Sequence, residues 1–241
     1  MKRVWFVMLA VLASNYANAT DLSSEKLVKV AVSKAYIPQG FDNNDITKVV
    51  VEGFFPNTCY RIKKQDATDV KIDRDKNTVE VTQRAYVYSG MCLQMIVPYT
   101  ETVEIGKLAS AGSYRIVDSL SKRELGKMAV DTSTTTGPDD YFYAMVNDAH
   151  VSNTDSSEGQ IIIRGELPTS CWDITDKKVF LDGKDVLTVL PIMTLVSKDA
   201  CPSVRVPFET TIALPQLEAG RYLLNVRSLN GQSINKLFDA R

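Results

Sequence analysis

Four cysteines, one histidine and three short acidic runs are the side chains in this chain of 241 residues with chemistry beyond packing. Cys59, Cys92, Cys171 and Cys201 are widely spaced. A redox-active pair or a zinc site would need two of them close together, as in C-x-x-C, or histidines to complete the ligand set. His150 is the only histidine. There is no G-x-S-x-G elbow, no H-E-x-x-H and no phosphate-binding loop. Asp73-Arg74-Asp75-Lys76-Asn77 begins like a calcium loop. It then places Thr78 where such a loop needs Gly and Arg84 where it needs a bidentate Glu, so it reads as a solvated turn. Asp42-Asn43-Asn44-Asp45 and Asp139-Asp140 are read as polar loops, with weak calcium binding between domains as the alternative. Any catalysis would rest on carboxylates alone, and nothing in the sequence pairs two of them. The expectation is no catalytic residue, no metal and no cofactor.

The elements around the cysteines repeat. Val49-Val50-Val51-Glu52-Gly53-Phe54-Phe55-Pro56-Asn57-Thr58-Cys59-Tyr60 matches Ile161-Ile162-Ile163-Arg164-Gly165-Glu166-Leu167-Pro168-Thr169-Ser170-Cys171-Trp172. Further on, Cys92 matches Cys201, Val97-Pro98-Tyr99 matches Val206-Pro207-Phe208, and Ala111-Gly112-Ser113-Tyr114 matches Ala219-Gly220-Arg221-Tyr222. The offset shortens slightly after the first cysteine, so the second copy has lost a few residues in its central loops. Among the three ways to pair four cysteines, the repeat selects Cys59–Cys92 and Cys171–Cys201, one disulfide inside each copy. His150 falls where the first copy has Tyr36, which reads as packing or surface. Tyr60 and Trp172 are expected to pack on the disulfides, with stacking on a ligand as the alternative. Tyr86, Tyr88 and Met91 have no aromatic counterparts and are read as irregular core or, alternatively, as extra contact surface.

Domain limits follow from the repeat. The stretch Asp131–Asp140 has no apolar residue and carries a Gly-Pro break, so residues 132–138 form a linker between domains at 20–131 and 139–241. Lys2 and Arg3, an apolar run from Val4 to Ala13 and Ala17-Asn18-Ala19 read as a signal peptide over residues 1–19, with no cysteine at the cleavage site for lipid attachment. The apolar run is too short for the ~20 residues of a spanning helix. Within each copy the apolar period is two, as at Val28, Val30 and Val32, with hairpin turns at Asp75-Lys76-Asn77 and Asp182-Gly183. A helical turn is possible only at Ser23–Leu27. The fold class expected is all-β, two tandem antiparallel sandwiches with one disulfide each. Tyr141 and Tyr143 should share one face and Phe142 the other, with the trio packed near the inter-domain joint.

The spacing Leu108, Gly112, Tyr114, and its shorter form Leu217, Gly220, Tyr222, resembles the tyrosine corner of immunoglobulin-like and fibronectin type III sandwiches. Neither Tyr is followed two residues later by Cys, so the disulfides must join other strands than in antibody domains. The skeleton G-x-[LF]-P-x-[ST]-C, a later Cys, V-P-[FY] and G-x-Tyr resembles a module of uncharacterised bacterial secreted proteins. That resemblance implies an extracytoplasmic β-sandwich and no particular activity. A net charge of −1 gives no pull toward nucleic acid. The reading is a non-enzymatic periplasmic or extracellular protein that binds a protein or cell-surface component without membrane insertion. Its alternatives are a protease inhibitor using rigid loops at Pro56–Cys59 and Pro168–Cys171, or a carboxylate-based hydrolase or its accessory domain.

Overall fold

β-Branched and aromatic residues at alternating positions favour pleated, half-buried strands. The computed structural model describes residues 25–152, 159–197 and 201–241, and they form strands and loops with no helix among them. The expected signal at 1–19 lies outside the described residues.

The first half contains β1 (Glu25–Val30), β2 (Lys34–Tyr36), β3 (Phe41–Asp42), β4 (Thr47–Phe55), β5 (Tyr60–Arg61), β6 (Thr68–Asp73), β7 (Thr78–Tyr88), β8 (Val97–Gly106), β9 (Gly112–Asp118) and β10 (Glu124–Asp131). The second contains β11 (Met145–Val151), β12 (Gln160–Leu167), β13 (Trp172–Asp182), β14 (Val186–Leu195), β15 (Val206–Ala213), β16 (Gly220–Ser228) and β17 (Gln232–Ala240). Sheet β2-β4-β8 faces sheet β1-β7-β9-β10-β3, in which β5 and β6 also pair with β7; sheet β11-β12-β15 faces β13-β14-β16-β17. Val49, Val51 and Val103 meet Val79, Val81, Ile116 and Met128 in the first core. Ile161 and Ile163 meet Leu187, Val189, Leu224 and Val226 in the second. Each half is thus a sandwich around its own core.

Most ladders are antiparallel; the short β10–β3 pair is parallel, as are β7 and β9 and, equally, β14 and β16. Between β7 and β9, and between β14 and β16, the chain visits the opposite sheet, through β8 or β15, and returns in the same direction. Leu27 is not in a helical turn. It lies in β1 opposite Tyr86, because Val28 and Val30 alternate into a sheet whose edge β1 completes. Ser23 lies outside the described residues.

The repeated motif has a mechanical reading. Gly53 stands opposite Tyr99 and Gly165 opposite Phe208 across neighbouring strands. A Cβ on Gly53 would overlap the Tyr99 ring, with Cε1 at 2.6 Å, and one on Gly165 would lie 2.8 Å from Phe208 Cε1 and collide with the Met145 carbonyl oxygen. The glycine makes room and the aromatic ring fills it, so the G and the V-P-[FY] of the skeleton form one cross-strand unit. The tyrosine corners are also present. Tyr114 Oη donates to the Ser110 carbonyl at 2.8 Å and Tyr222 Oη to the Glu218 carbonyl at 3.0 Å. The hairpin turns sit at Asn77 and Gly183, with φ of 45° and 64°, a left-handed conformation that Asn and Gly tolerate best.

The two sandwiches dock face to face. Tyr36 and Val50 of the β2–β4 face pack against Val186, Leu223 and Leu237 of the second half. Lys34 pairs with Asp185 at 2.7 Å and Arg221 with Glu52 at 3.3 Å around this contact. At one end Arg227 is buried beside Asp45, 2.8 Å from its carboxylate and held between the rings of Phe41 and Tyr143. The joint fixes both sandwiches to each other through charge and apolar area together.

Candidate functional site

Each disulfide ties the end of one sandwich. Cys59–Cys92 and Cys171–Cys201 close segments of 33 and 30 residues, with Cα–Cα distances of 5.4 and 5.9 Å. Loops of that size are worth roughly 3–4 kcal/mol each in the chain-entropy account. The neighbouring aromatics pack on rings. Tyr60 stacks on Phe55 at 5.4 Å, and Trp172 meets Phe142 at 5.6 Å.

The strongest surface feature lies on the far side of the first disulfide. Met91 is fully exposed, Leu93 is 69% exposed and Ile96 70%, with Met95 and Phe54 also open. Met91, Leu93 and Met95 fall on alternate positions, yet the segment is not part of a strand, and its backbone is held in other ways. Leu93 N–H donates to Thr58 Oγ1 at 3.0 Å, Thr58 N–H donates to the Leu93 carbonyl at 3.2 Å, and Cys92 is covalently fixed. Next along the chain and its paired strands, β5, β7 and the start of β1 carry polar contacts of their own. Lys63 pairs with Glu25 and sits 4.4 Å from the Tyr86 ring; Arg61 sits over Tyr88 at 5.1 Å; Tyr86 Oη donates to Asp66 at 2.6 Å. The Lys63 contact holds the Glu25 carboxyl below its ordinary value, and the Asp66 bond holds the Tyr86 phenol above its own. Tyr86 and Tyr88 are therefore surface groups bound by cations, and Met91 is surface rather than core. In the second half, Phe142, Leu195, Val196 and Val204 are exposed around the equivalent disulfide.

Two of the three acidic runs are brought together at the joint. Asp42 and Asp140, with Asp131, line one cavity of about 380 Å³. Burial, with Asp42 and Asp45 nearby, pushes the Asp140 carboxyl up. Each run also has structural work. Asn44 N–H donates to Asp42 Oδ1 at 2.7 Å, and Asp42 N–H to Asp45 Oδ2 at 3.0 Å. Asp139 accepts from the Asn230 and Gly231 backbones at 2.7 and 2.8 Å. Burial pushes the Asp45 carboxyl up more than Arg227 draws it down, while the same carboxylate raises the Arg227 guanidinium. The pair therefore fixes the joint at a desolvation cost. Asp73 accepts from the Lys76 backbone in the hairpin turn expected for that run. Among the described residues, no group of three or more His, Cys, Asp or Glu side chains is placed to hold a metal ion.

His150 stands opposite Ile162, as Tyr36 stands opposite Val50. Its Nδ1 lies 3.3 Å from Asp148 Oδ2, in a surface network that reaches Arg164 and Glu209. Tyr141 and Tyr143 do share a face, with ring centroids 6.0 Å apart, and Phe142 turns to Trp172 on the other. Sequence reasoning missed Leu93, Met95 and Ile96, whose signal was an apolar run beside a cysteine and outside any matched strand of the repeat. It also missed Arg227, which no local pattern marks.

The fold and its stapled ends define a class: a protein of two tandem, disulfide-linked β-sandwiches. A family profile described as the ORF11 beta-sandwich domain matches residues 49–117 and 161–240, and the chain belongs to that family. Both matched segments fall on the repeated motif. Comparison with curated proteins and with solved structures finds no match. No helix among the described residues is long and apolar enough to cross a membrane.

Proposed function

We propose that this is a non-enzymatic binding protein of an oxidising compartment, secreted or periplasmic, which engages a protein or cell-surface component through the stapled end of its first sandwich. Two disulfides fit such a compartment. The observation that carries the reading is the exposed Met91–Ile96 segment, held in place by Cys92 and by the two hydrogen bonds to Thr58. Large apolar side chains left in water lower solubility unless a partner covers them. Exposed Met and large aliphatic side chains clustered at one place are also the kind of surface that protein interfaces bury. Preorganisation by the disulfide removes part of the ordering cost of binding.

The test is a triple substitution, Met91→Ser with Leu93→Ser and Ile96→Ser, in tagged protein recovered from producing cells after cross-linking. The expected result is loss of the cross-linked partner with an unchanged thermal midpoint. Recovery of the same partner in the same amount overturns the reading.

A further inference from the structure

We propose that the cleft between the two sandwiches binds an extended peptide segment of another protein, paired with the free edge of β8 and presenting an acidic side chain to Lys64. This site is separate from the stapled end and stands without it.

The cleft has a volume of about 520 Å³ and draws on both halves of the molecule, with Thr100, Glu101 and Thr102 on one side and Asn235 and Leu237 on the other. Adjacent residues of a strand point to opposite faces. Thr100, Glu101 and Thr102 nevertheless line one space, so that space wraps around the strand edge. Among the described residues β8 pairs only with β4, which leaves backbone donors and acceptors along that edge. An incoming strand would satisfy them, and alternate side chains would reach into the cleft. Asn235 Oδ1 is buried without a hydrogen-bond partner. A buried acceptor of this kind gains when a ligand supplies an N–H.

Charge and lining narrow the class. Lys64 is the single cation and Glu101 the single acid among the lining residues; burial holds the Glu101 carboxyl up although Lys64 draws it down, so the pair is incompletely compensated, and none of the lining residues is aromatic. Nucleotides favour several cations, and sugars an aromatic face, so neither suits this lining as well as a peptide does. Leu237 supplies apolar wall for one side chain.

The site is particular to the first copy. Strands β5 and β6, with the loop between them, span three residues more than β13 does, and the extra residues include the stretch carrying Lys64. The loop is anchored from below, where buried Gln83 donates from Nε2 to the Ala67 carbonyl at 2.9 Å. The second copy has Pro191 at the position matching Gln83.

The experiment pans a phage-displayed random heptapeptide library on the full mature chain and synthesises the enriched sequences. The expected result is peptides with one acidic residue among β-branched ones. Their affinity falls at least about tenfold with Lys64→Glu, and they slow amide exchange at Thr100–Thr102. The triple-serine variant of the stapled end binds them as the wild type does, so failure here and failure of the proposed function read out separately. The inference is overturned if no peptide enriches over the Lys64→Glu variant, if affinity is unchanged by that substitution, or if protection appears at Met91–Ile96 instead.

Discussion

At the residue scale, the shared glycines carry more than a turn. Gly165 has the Met145 carbonyl on one side and the Phe208 ring on the other. Gly165→Ala is expected to cost about 1–3 kcal/mol by overpacking, read as a lower urea midpoint with unchanged slope. An unchanged midpoint would show that the ring can move aside. The G and V-P-[FY] skeleton was legible in the sequence as a repeat, but not as a contact. The glycine and its ring are far apart in the chain, and only strand pairing brings them together. The disulfide partners were legible for a related reason, since two copies of one module must staple matched positions.

At the scale of elements, the change in repeat offset has a physical cause. The first copy breaks one long strand into β5 and β6 and inserts three residues between them, which the second copy runs straight through as β13. The stapled loops divide in an unexpected way. Pro56–Cys59 holds the backbone, while the exposed side chains belong to the segment after Cys92. Pairing Cys59→Ser with Cys92→Ser is expected to cost roughly 3–4 kcal/mol. It should also raise amide exchange at residues 91–96 more than at β4. Equal protection there would mean that the hydrogen bonds to Thr58 suffice to hold the segment. Apolar exposure of this kind escaped the sequence because composition alone reads such a run as core.

At the scale of the whole molecule, the joint explains why the two copies differ. The first copy buries Tyr36 and Val50 where the second leaves His150 and Ile162 on its own outer face; the second buries Val186 and Leu223 where the first has Thr78 and Arg115. Asp45 lies near Arg227 and Glu52 near Arg221, so β4 and β16 cross the joint in opposite directions, and the two stapled ends point away from each other. Asp45→Ala leaves Arg227 buried without its carboxylate and is expected to cost about 3–5 kcal/mol, whereas Asp45→Leu with Arg227→Met is expected to be near neutral. Equal losses in the single and double variants would contradict this.

The joint also carries a pH signature. Burial pushes the Asp182 carboxyl up against the pull of Thr188 Oγ1, at 2.6 Å, and of the Gln39 N–H across the joint, at 3.3 Å. An acid with a raised folded-state value binds its proton more tightly when folded. Its contribution to stability is thus fully present below the ordinary value of 3.8 and is lost as pH rises through the folded value. Replacing Asp182 by Asn should therefore gain relative to wild type on going from pH 4 to pH 7, measured as the difference in unfolding midpoints. A difference independent of pH would remove Asp182 from the account.

We propose the stapled end of the first sandwich as the working surface. A photo-reactive phenylalanine placed at Leu93 in producing cells tests it most directly, with the same group at Lys71 on the polar outer face of β6 as the control. One discrete protein adduct is expected at position 93 that is absent at position 71. The same adducts at both positions, or none at position 93, would contradict it.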